Sequence, residues 1–357
     1  MKNILIIAGT GTMGVHVVEL LQNKGYNCWV TSRSSRKDTD KIHYLKGTPL
    51  DNDFLTHVMK MREWDSVIDF MYYETVQFKF VVDVLLSNTK QYIFISSARV
   101  YSNSNSIITE ETPRLLDVCT DKKYIESDEY AIAKAREEDI LIKSGRKNWV
   151  IVRPYITFGE KKFQLSPIQK EYWLYRAIKG KKILFAKDLA EKTTTFTYGL
   201  DVAKGIAALS CAYEANGESF HITSSRTYTW AEILDIYLEV LEKHLGHRPT
   251  VHYIDKWKPL LTGTRDQVYY DRLYNRIFDN KKINHFVDTN SFAELDVALK
   301  GCLDEFLKNL PDIHIENGAI EGAMDRESGE WESIQDLCRR TPKDIIRYFV
   351  YRLGIRQ

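Results

Sequence analysis

Residues 1–14 read MKNILIIAGTGTMG and are followed by the amphipathic run VHVVELL. The apolar run predicts a β-strand, the glycines predict a tight turn, and the run after them predicts a helix. In this context the spacing GxGxxG lets the backbone turn sharply and approach a pyrophosphate at the helix N-terminus. A glycine turn without a ligand is the alternative. The residues predicted to bind a dinucleotide here are Gly9, Gly11, Thr12, Met13 and Gly14.

The next predicted strand, residues 26–31, ends in the polar and basic sequence SRSSRK. NAD-binding sites usually carry an Asp or Glu at this point for the ribose 2′-hydroxyl, whereas a hydroxyl and a cation suit a 2′-phosphate. We therefore predict NADP as the cofactor, contacted by Ser32 and Arg33, with NAD as the alternative. A basic loop that is only solvated is the other interpretation of these residues.

Tyr130 and Lys134 lie four residues apart in a predicted helix. This spacing puts the phenol and the ammonium on one helix face, where the cation lowers the cost of a phenolate. Hydride transfer at a carbon needs a proton shuttle for the attached oxygen and a polar group that orients this oxygen beside the cofactor. The pair therefore predicts a catalytic site, and a core tyrosine beside a solvated lysine is the alternative.

Together with further segments, these features resemble the extended short-chain dehydrogenases/reductases of the NAD-dependent epimerase/dehydratase family. The resemblance runs through most of residues 1 to 285. The further segments are residues 94–101, 152–159, 196–203 and 220–223.

The resemblance implies a Rossmann-type α/β fold, a doubly wound parallel sheet with a smaller, discontinuous α/β substrate lobe. Alternating strand and helix signals as far as residue 160 also favour a parallel sheet with helices on both faces. The resemblance implies that Ser97 hydrogen-bonds the reacting oxygen, that Tyr130 donates or accepts the proton, and that Lys134 binds the nicotinamide ribose. Further residues implied at the cofactor or substrate are Pro154, Arg99 and Tyr155.

Some positions depart from the family pattern. Ala8 stands where the first glycine of the turn is usual, and Thr48 stands where an adenine-contacting Asp is common. Relatives that act on UDP-sugars often hold the diphosphate with an Arg at the position that corresponds to Thr194. We expect Arg272 or Arg276 to compensate, because guanidinium groups suit phosphate oxygens. An exposed helix with ion pairs is an equally weighted alternative for these two arginines.

The predicted function is that of an NAD(P)-dependent oxidoreductase or epimerase of a sugar, and we expect this substrate to be a nucleotide-activated sugar or keto-sugar. Related dehydratases carry an acidic residue close behind the catalytic hydroxyl, whereas Ser97 is followed by Ala98 and Arg99. Two reactions remain, which are epimerisation through a transient ketone and reduction of a keto-sugar. The predicted preference for NADP slightly favours reduction. The alternative is a non-catalytic binding or regulatory protein of an RNA-associated type, which would have no chemical need for Ser97, Tyr130 and Lys134 together.

The expected domains are a Rossmann domain at residues 1–160, to which the chain returns at 193–215, and a substrate lobe at 161–192 and 216–357. Substrate is expected between the lobes, over the carboxyl ends of the strands. The lobe includes a C-terminal extension in which residues 345–353 predict an amphipathic helix. We expect this helix to pack on its own domain, with a membrane surface or a partner as the less favoured alternative.

Composition limits the partners and the cellular compartment that we expect for the protein. The chain of 357 residues has 50 basic and 49 acidic residues, so no global field favours nucleic acid or an anionic membrane. Five scattered cysteines without a CxxC pattern, and no evident signal peptide, predict reduced thiols and a cytoplasmic protein. No metal site and no membrane span are expected, and a homodimer is possible by analogy with similar proteins.

Overall fold

The computed structural model describes residues 1–261, 265–311, 313, 315 and 317–355. Its strands are β1 (Asn3–Ile7), β2 (Asn27–Ser32), β3 (Ile42–Lys46), β4 (Ser66–Asp69), β5 (Tyr92–Ile95), β6 (Trp149–Pro154), β7 (Thr157–Phe158), β8 (Gln164–Leu165), β9 (Ile168–Gln169), β10 (Ile183–Ala186), β11 (Thr193–Thr194), β12 (Thr197–Tyr198), β13 (Glu218–Ile222), β14 (Tyr228–Thr229) and β15 (Val251–Ile254).

The α-helices are α1 (Gly14–Asn23), α2 (Asn52–Lys60), α3 (Thr75–Ser87), α4 (Leu115–Val118), α5 (Lys122–Glu126), α6 (Tyr130–Lys143), α7 (Lys170–Ile178), α8 (Lys187–Ala190), α9 (Gly199–Leu209), α10 (Trp230–Leu245), α11 (Arg265–Gln267), α12 (Leu295–Lys308), α13 (Gly318–Ser328), α14 (Ile334–Cys338) and α15 (Pro342–Arg352).

Seven strands within residues 3–222 form one parallel sheet in the order β13-β6-β5-β4-β1-β2-β3. The order reverses at β1, which pairs with β2 on one side and β4 on the other. In such a sheet, ligands bind outside the carboxyl ends of the strands at the point of reversal. The predicted Rossmann-type doubly wound sheet is confirmed.

Alternate side chains of β1 enter two different cores. Ile4 and Ile6 belong to a cluster that includes α1 and α9, whereas Leu5 and Ile7 belong to one that includes α2 and α3. Because successive side chains of a strand point to opposite faces, a continuous apolar strand needs helices on both faces of the sheet.

The chain divides into two compact units. The first comprises residues 1–159, 195–226 and 276–293, and the second comprises 160–194, 227–275 and 294–357. These bounds place residues 216–226 and 276–293 in the first unit, whereas the sequence predicts them in the substrate lobe. The reason is long-range pairing: β13 extends the sheet beside β6, and the Ile108 N–H donates to the carbonyl of Ile277 at 2.8 Å.

The second unit contains the C-terminal segment as an integral part. Its helices α13 and α15 meet backbone to backbone, because a Cβ atom on Gly318 would lie 2.4 Å from the Asp344 carbonyl oxygen. A Cβ atom on Gly322 would likewise lie 2.3 Å from the carbonyl oxygen of Tyr348. The predicted helix near residues 345–353 is present as α15, and it packs within its own unit.

A buried ionic cluster joins α7 to this segment. Its members are Arg176, Lys181, Glu321 and Asp325. Arg176 Nη1 donates to Glu321 Oε1 at 2.9 Å and to Asp325 Oδ1 at 2.8 Å, and Lys181 Nζ donates to the same two carboxylates at 2.7–3.0 Å. Arg176, Glu321 and Asp325 are fully buried. Buried charges of this kind persist only because each has opposite charges and hydrogen bonds around it.

No helix in the described part of the chain combines the length and the apolar character that crossing a bilayer requires.

Candidate active site

The glycine turn connects β1 to α1 at the carboxyl end of the central strand. A Cβ atom on Gly14 would lie 2.6 Å from the carbonyl carbon of Gly9, and one on Gly9 would lie 2.4 Å from Cγ2 of Ile6. Both positions need glycine, because a side chain would push the turn away from its neighbours. A Cβ atom on Gly11 would meet no atom within 4 Å. This open cradle fits the close approach of a pyrophosphate to the N-terminus of α1.

Ala8 occupies the position where the family pattern has its first glycine. Its φ of 54° lies in the left-handed region, which alanine adopts at higher cost than glycine. The Ala8 N–H donates to Thr31 Oγ1 at 2.9 Å. The hydrogen bond ties the glycine turn to the end of β2 and offsets part of that cost.

The end of β2 carries the residues predicted to select NADP. Ser32 is buried, whereas Arg33 is exposed directly after the strand. A second arginine of the loop, Arg36, lies with its guanidinium carbon 5.7 Å from the ring centroid of Tyr44. The exposed Arg33 thus stands next to the strand end where the adenosine ribose binds in this fold.

Ser97 lies two residues after β5 and begins a 3₁₀ turn, Ala98–Val100. It is buried, and its Oγ accepts the Arg99 N–H at 3.2 Å. The preceding Ser96 donates its hydroxyl to Glu138 Oε1 on α6 at 2.6 Å. Ser97 is therefore held on a segment that is fixed to the helix that carries Tyr130.

A buried ion pair reinforces this attachment. Arg153, next to Pro154 at the end of β6, donates from Nε and Nη2 to the two oxygens of Glu138 at 2.8 Å each. Arg153 Nη1 also donates to the hydroxyl of Tyr101 at 3.0 Å. Such bidentate pairs fix orientation as well as distance. The carboxyl ends of β5 and β6 are thereby tied to α6.

Tyr130 is the first residue of α6, and 36% of its surface is exposed. Its ring stacks on Tyr72 with centroids 5.8 Å apart, and the guanidinium carbon of Arg99 lies 5.4 Å from its centroid. Arg99 is held in turn by Glu129, the N-cap of α6, at 2.7 Å. The structure therefore brings Tyr130 and the turn that begins at Ser97 together.

Lys134 lies one helical turn after Tyr130 and is only 2% exposed. Its Nζ donates to Glu137 Oε2 at 2.9 Å and lies 4.4 Å from the ring centroid of Phe94. It also lies 5.8 Å from the centroid of Tyr72, the ring on which Tyr130 stacks. Tyr130 and Lys134 thus share one face of α6, as their spacing predicts.

Sequence reasoning missed two buried carboxylates next to this pair, Glu137 and Asp69. Burial raises the pKa of Glu137 to about 7 and that of Asp69 to about 6, and Lys134 opposes both shifts. The available signal was the position of Glu137, three residues after Lys134 and hence on the same helix face. Asp69 is the last residue of strand β4, and no local pattern marks it as a neighbour of Lys134.

The predicted substrate contacts are spread over both units. In the first unit, Tyr155 is buried against the ring of Phe278 at 5.3 Å between centroids. Arg276, also buried there, donates to the carbonyls of Ser102 and Tyr101 at 3.0 Å each.

In the second unit, Arg272 is buried and forms an ion pair with Asp271, and its Nε lies 3.4 Å from the carbonyl of Ser166. Because Arg272 and Arg276 are both buried, the alternative of an exposed ion-pair helix is wrong. Phosphate binding by either arginine stays a prediction.

The described residues contain no group of three or more His, Cys, Asp or Glu that could hold a metal ion. Cys28, Cys119, Cys211, Cys302 and Cys338, which all lie in the described part of the chain, are not joined in disulfide bonds.

The family model of the NAD-dependent epimerase/dehydratase family matches residues 4–223. The chain belongs to this family. Its match spans the glycine turn, Ser97, Tyr130, Lys134 and the end of β13, so the resemblance read from the sequence is confirmed. None of the curated protein sequences matches this family member.

Solved structures share the fold of this epimerase/dehydratase family member at low identity. UDP-glucose 4-epimerase from Bifidobacterium longum, in complex with NAD+ and UDP, is 19% identical with a TM-score of 0.64, and 86% of this chain and 99% of that chain are covered. dTDP-glucose 4,6-dehydratase from Bacillus anthracis, in complex with NAD, is 18% identical with a TM-score of 0.64. The match covers 87% of this chain and 97% of the dehydratase chain. UDP-glucuronic acid 4-epimerase from Bacillus cereus, in complex with NAD, is 16% identical with a TM-score of 0.63. The match covers 87% of this chain and 100% of the epimerase chain. At these identities the likeness shows the fold alone.

Two glycine substitutions in this family member should separate ligand binding from packing. Gly11→Ala should keep the melting temperature and weaken dinucleotide binding, because its Cβ meets no protein atom and would face the pyrophosphate. Gly14→Ala should lose binding and also about 1–3 kcal/mol of stability through overpacking against Gly9. Calorimetric unfolding and dinucleotide titration of both variants measure the difference. Unchanged dinucleotide affinity in Gly11→Ala would contradict the predicted approach of the pyrophosphate.

Proposed function

We propose that the protein is an NADP-dependent oxidoreductase or epimerase of a nucleotide-activated sugar or keto-sugar. Tyr130 would be its proton shuttle and Ser97 would orient the reacting oxygen. The dinucleotide, when bound, supplies or receives the hydride. The glycine turn and Lys134 would hold this dinucleotide, and the ends of β5 and β6 would border the reacting carbon.

The placement of Tyr130 is the main support for this proposal. A phenol that is partly exposed at the start of a helix can reach a ligand, while its ring is fixed by Tyr72 and Arg99. Lys134 lies on the same face of α6, one helical turn from Tyr130. A purely structural tyrosine would need neither partial exposure nor a buried cation one turn away.

The residues around Ser97 favour epimerisation or reduction over dehydration. Elimination of water from a sugar needs an additional acid beside the catalytic hydroxyl, and Ser97 is followed by Ala98, Arg99 and Val100. Arg99 is engaged by Glu129, so this segment offers a cation where a dehydratase needs an acid. Of the two remaining reactions we favour reduction slightly, because NADP is more often an exchanged reductant than a retained cofactor.

A nucleotide-activated substrate fits the names of the structural relatives, which include UDP-sugar and dTDP-sugar enzymes. We propose Tyr155, Arg272 and Arg276 as candidate contacts to the sugar nucleotide. For the two arginines this requires that a phosphate replace some of their present protein acceptors, which include the carbonyls of Tyr101 and Ser166. Guanidinium groups can make that exchange because they carry five donors each.

The NADP assignment predicts a selective effect of Arg33→Ala. The variant should bind NADPH about 10- to 100-fold more weakly, because a charge-assisted hydrogen bond to the 2′-phosphate is worth about 1.5–3 kcal/mol. NADH binding should be nearly unchanged. Arg36→Ala is the matched control, since Arg36 lies in the same exposed loop near Tyr44. Fluorescence titration of wild type and both variants with each nucleotide measures the six affinities, and an equal loss for NADPH and NADH in Arg33→Ala would contradict the assignment.

The reaction is tested on the purified protein in two steps. Mass spectrometry of any nucleotide that copurifies identifies a retained cofactor, and titration with NADPH and NADH measures exchangeable binding. A panel of nucleotide-activated sugars and keto-sugars is then followed by NADPH absorbance and by product chromatography. Consumption of NADPH supports a reductase, and sugar interconversion without net consumption supports an epimerase. Absence of dinucleotide binding under all conditions would contradict the proposed function.

A further inference from the structure

The ammonium group of Lys134 forms an ion pair with another side chain of the same helix, Glu137. Its Nζ donates to Glu137 Oε2 at 2.9 Å, and both side chains are almost completely shielded from solvent. The aromatic ring of Phe94 lies 4.4 Å below the same ammonium. A buried ion pair of this kind holds the ammonium firmly, because water cannot replace either partner.

The second oxygen of Glu137 is left open. Among the described residues, Glu137 Oε1 has no hydrogen-bond partner although it is buried. By contrast Asp69, the neighbouring carboxylate, accepts hydrogen bonds from Met71 N–H, from the Tyr73 hydroxyl and from the Tyr92 hydroxyl at 2.8–3.1 Å. Lys134 is therefore the hydrogen-bond partner that fixes Glu137, and Asp69 is fixed without it.

We propose that Glu137 is a positioning residue that competes with the dinucleotide for the Lys134 ammonium, so that its protonation controls cofactor binding. This inference rests on the proposed function, in which Lys134 binds the nicotinamide ribose. With Glu137 ionised, Lys134 is retained by the protein. With Glu137 protonated, the ammonium is released to a ligand above α6.

The groups that face Glu137 set the pH at which this happens. They are Lys134 on its own helix, Asp128 just before that helix, Asp69 at the end of β4, and the phenols of Tyr72, Tyr73 and Tyr92. Burial and the two aspartates raise the pKa of Glu137, and Lys134 lowers it, with a result of about 7.

The sign of the pH effect follows. We call the fraction of protein molecules whose Lys134 is available to the dinucleotide the competent fraction. Below pH 7 Glu137 is neutral and this fraction is high, whereas above pH 7 Glu137 is charged and this fraction falls. Since the apparent dissociation constant is the intrinsic one divided by the competent fraction, affinity should weaken about tenfold from pH 6 to pH 8.

The test measures binding of NAD+ by calorimetry at pH 6, 7 and 8. NAD+ is the appropriate probe because it lacks the 2′-phosphate, a group that itself titrates near pH 6. Wild-type protein should show the tenfold weakening. Glu137→Gln should bind at pH 8 about as tightly as wild type does at pH 6, with a flat pH profile. Asp139→Asn is the matched control, since Asp139 lies on the same helix but pairs with Arg114 and Lys143, and it should keep the wild-type profile.

Lys134→Met supplies the second arm of a double-mutant cycle. It should bind NAD+ more weakly and with no pH dependence, and adding Glu137→Gln to it should change nothing further. A wild-type pH profile in Glu137→Gln, or a pH dependence that persists in Lys134→Met, would overturn the inference. If Lys134→Met binds NAD+ as wild type does, the role of Lys134 in the proposed function fails. If Lys134→Met weakens binding while Glu137→Gln leaves affinity and pH profile unchanged, only the inference on Glu137 fails.

Discussion

Tyr130→Phe is expected to retain the fold and the dinucleotide affinity while turnover falls by about 100- to 10,000-fold. The substitution removes only the hydroxyl, and the loss corresponds to what a positioned acid or base contributes to proton transfer. The ring contacts to Tyr72 and Arg99 involve the aromatic face, so phenylalanine preserves them. Steady-state kinetics on the substrate found in the sugar panel measures the loss.

Tyr72→Phe is the matched control for that experiment. Tyr72 is a second exposed phenol, stacked on Tyr130, and its replacement keeps the same aromatic contact. Turnover should stay within a few-fold of wild type. Should Tyr130→Phe retain wild-type turnover, or should Tyr72→Phe lose as much as Tyr130→Phe, Tyr130 would be removed as the proton shuttle.

Arg176→Met is expected to lower the free energy of unfolding of the second unit by about 3–5 kcal/mol. Removing one partner of a buried ionic network leaves uncompensated charge, which costs far more than an exposed pair contributes. Arg176 uses its guanidinium on Glu321, Asp325, Ser328 and Glu330, so Lys181 alone cannot neutralise this cluster. Chemical denaturation followed by tryptophan fluorescence measures the change.

Lys258→Met provides the comparison on an exposed pair of the same unit. Lys258 binds Glu327 at 2.7 Å, but more than half of its side chain is exposed, and such pairs contribute about 0–1 kcal/mol. The two variants should therefore differ by several kcal/mol. An effect of Arg176→Met no larger than that of Lys258→Met would show that the buried ionic cluster adds no net stability over an apolar side chain.

Local patterns predicted elements of both units where the information is local. The apolar runs at residues 66–69 and 92–95 predict strands and form β4 and β5, and the 3.6-residue periodicity of residues 230–245 predicts a helix and forms α10. The glycine spacing and the i, i+4 spacing of Tyr130 and Lys134 describe short stretches whose geometry is fixed by backbone periodicity. Such features are readable without knowledge of the rest of the chain.

The missed features depend on contacts between distant parts of the sequence. Residues 276–293 return to the first unit, where Ile108 pairs with Phe278, and nothing in the local composition predicts that partner. Likewise, the buried state of Arg272 and Arg276 depends on acceptors such as the carbonyls of Ser166 and Ser102. Charged side chains are usually exposed, so local patterns favour the surface for residues that the tertiary structure buries.

The buried ionic cluster also limits the order in which parts of the second unit can fold during translation. Arg176 is made 145 residues before its partner Glu321, and ribosomes extend the chain from the N-terminus. Until the acidic residues of α13 emerge, the cations at residues 176 and 181 must stay hydrated, because burying them alone is prohibitively costly. We therefore expect α7 to remain unpacked around these cations in the nascent second unit until that point. Helices α13 and α15 can complete the packing of this unit only after the acidic residues of α13 have been made.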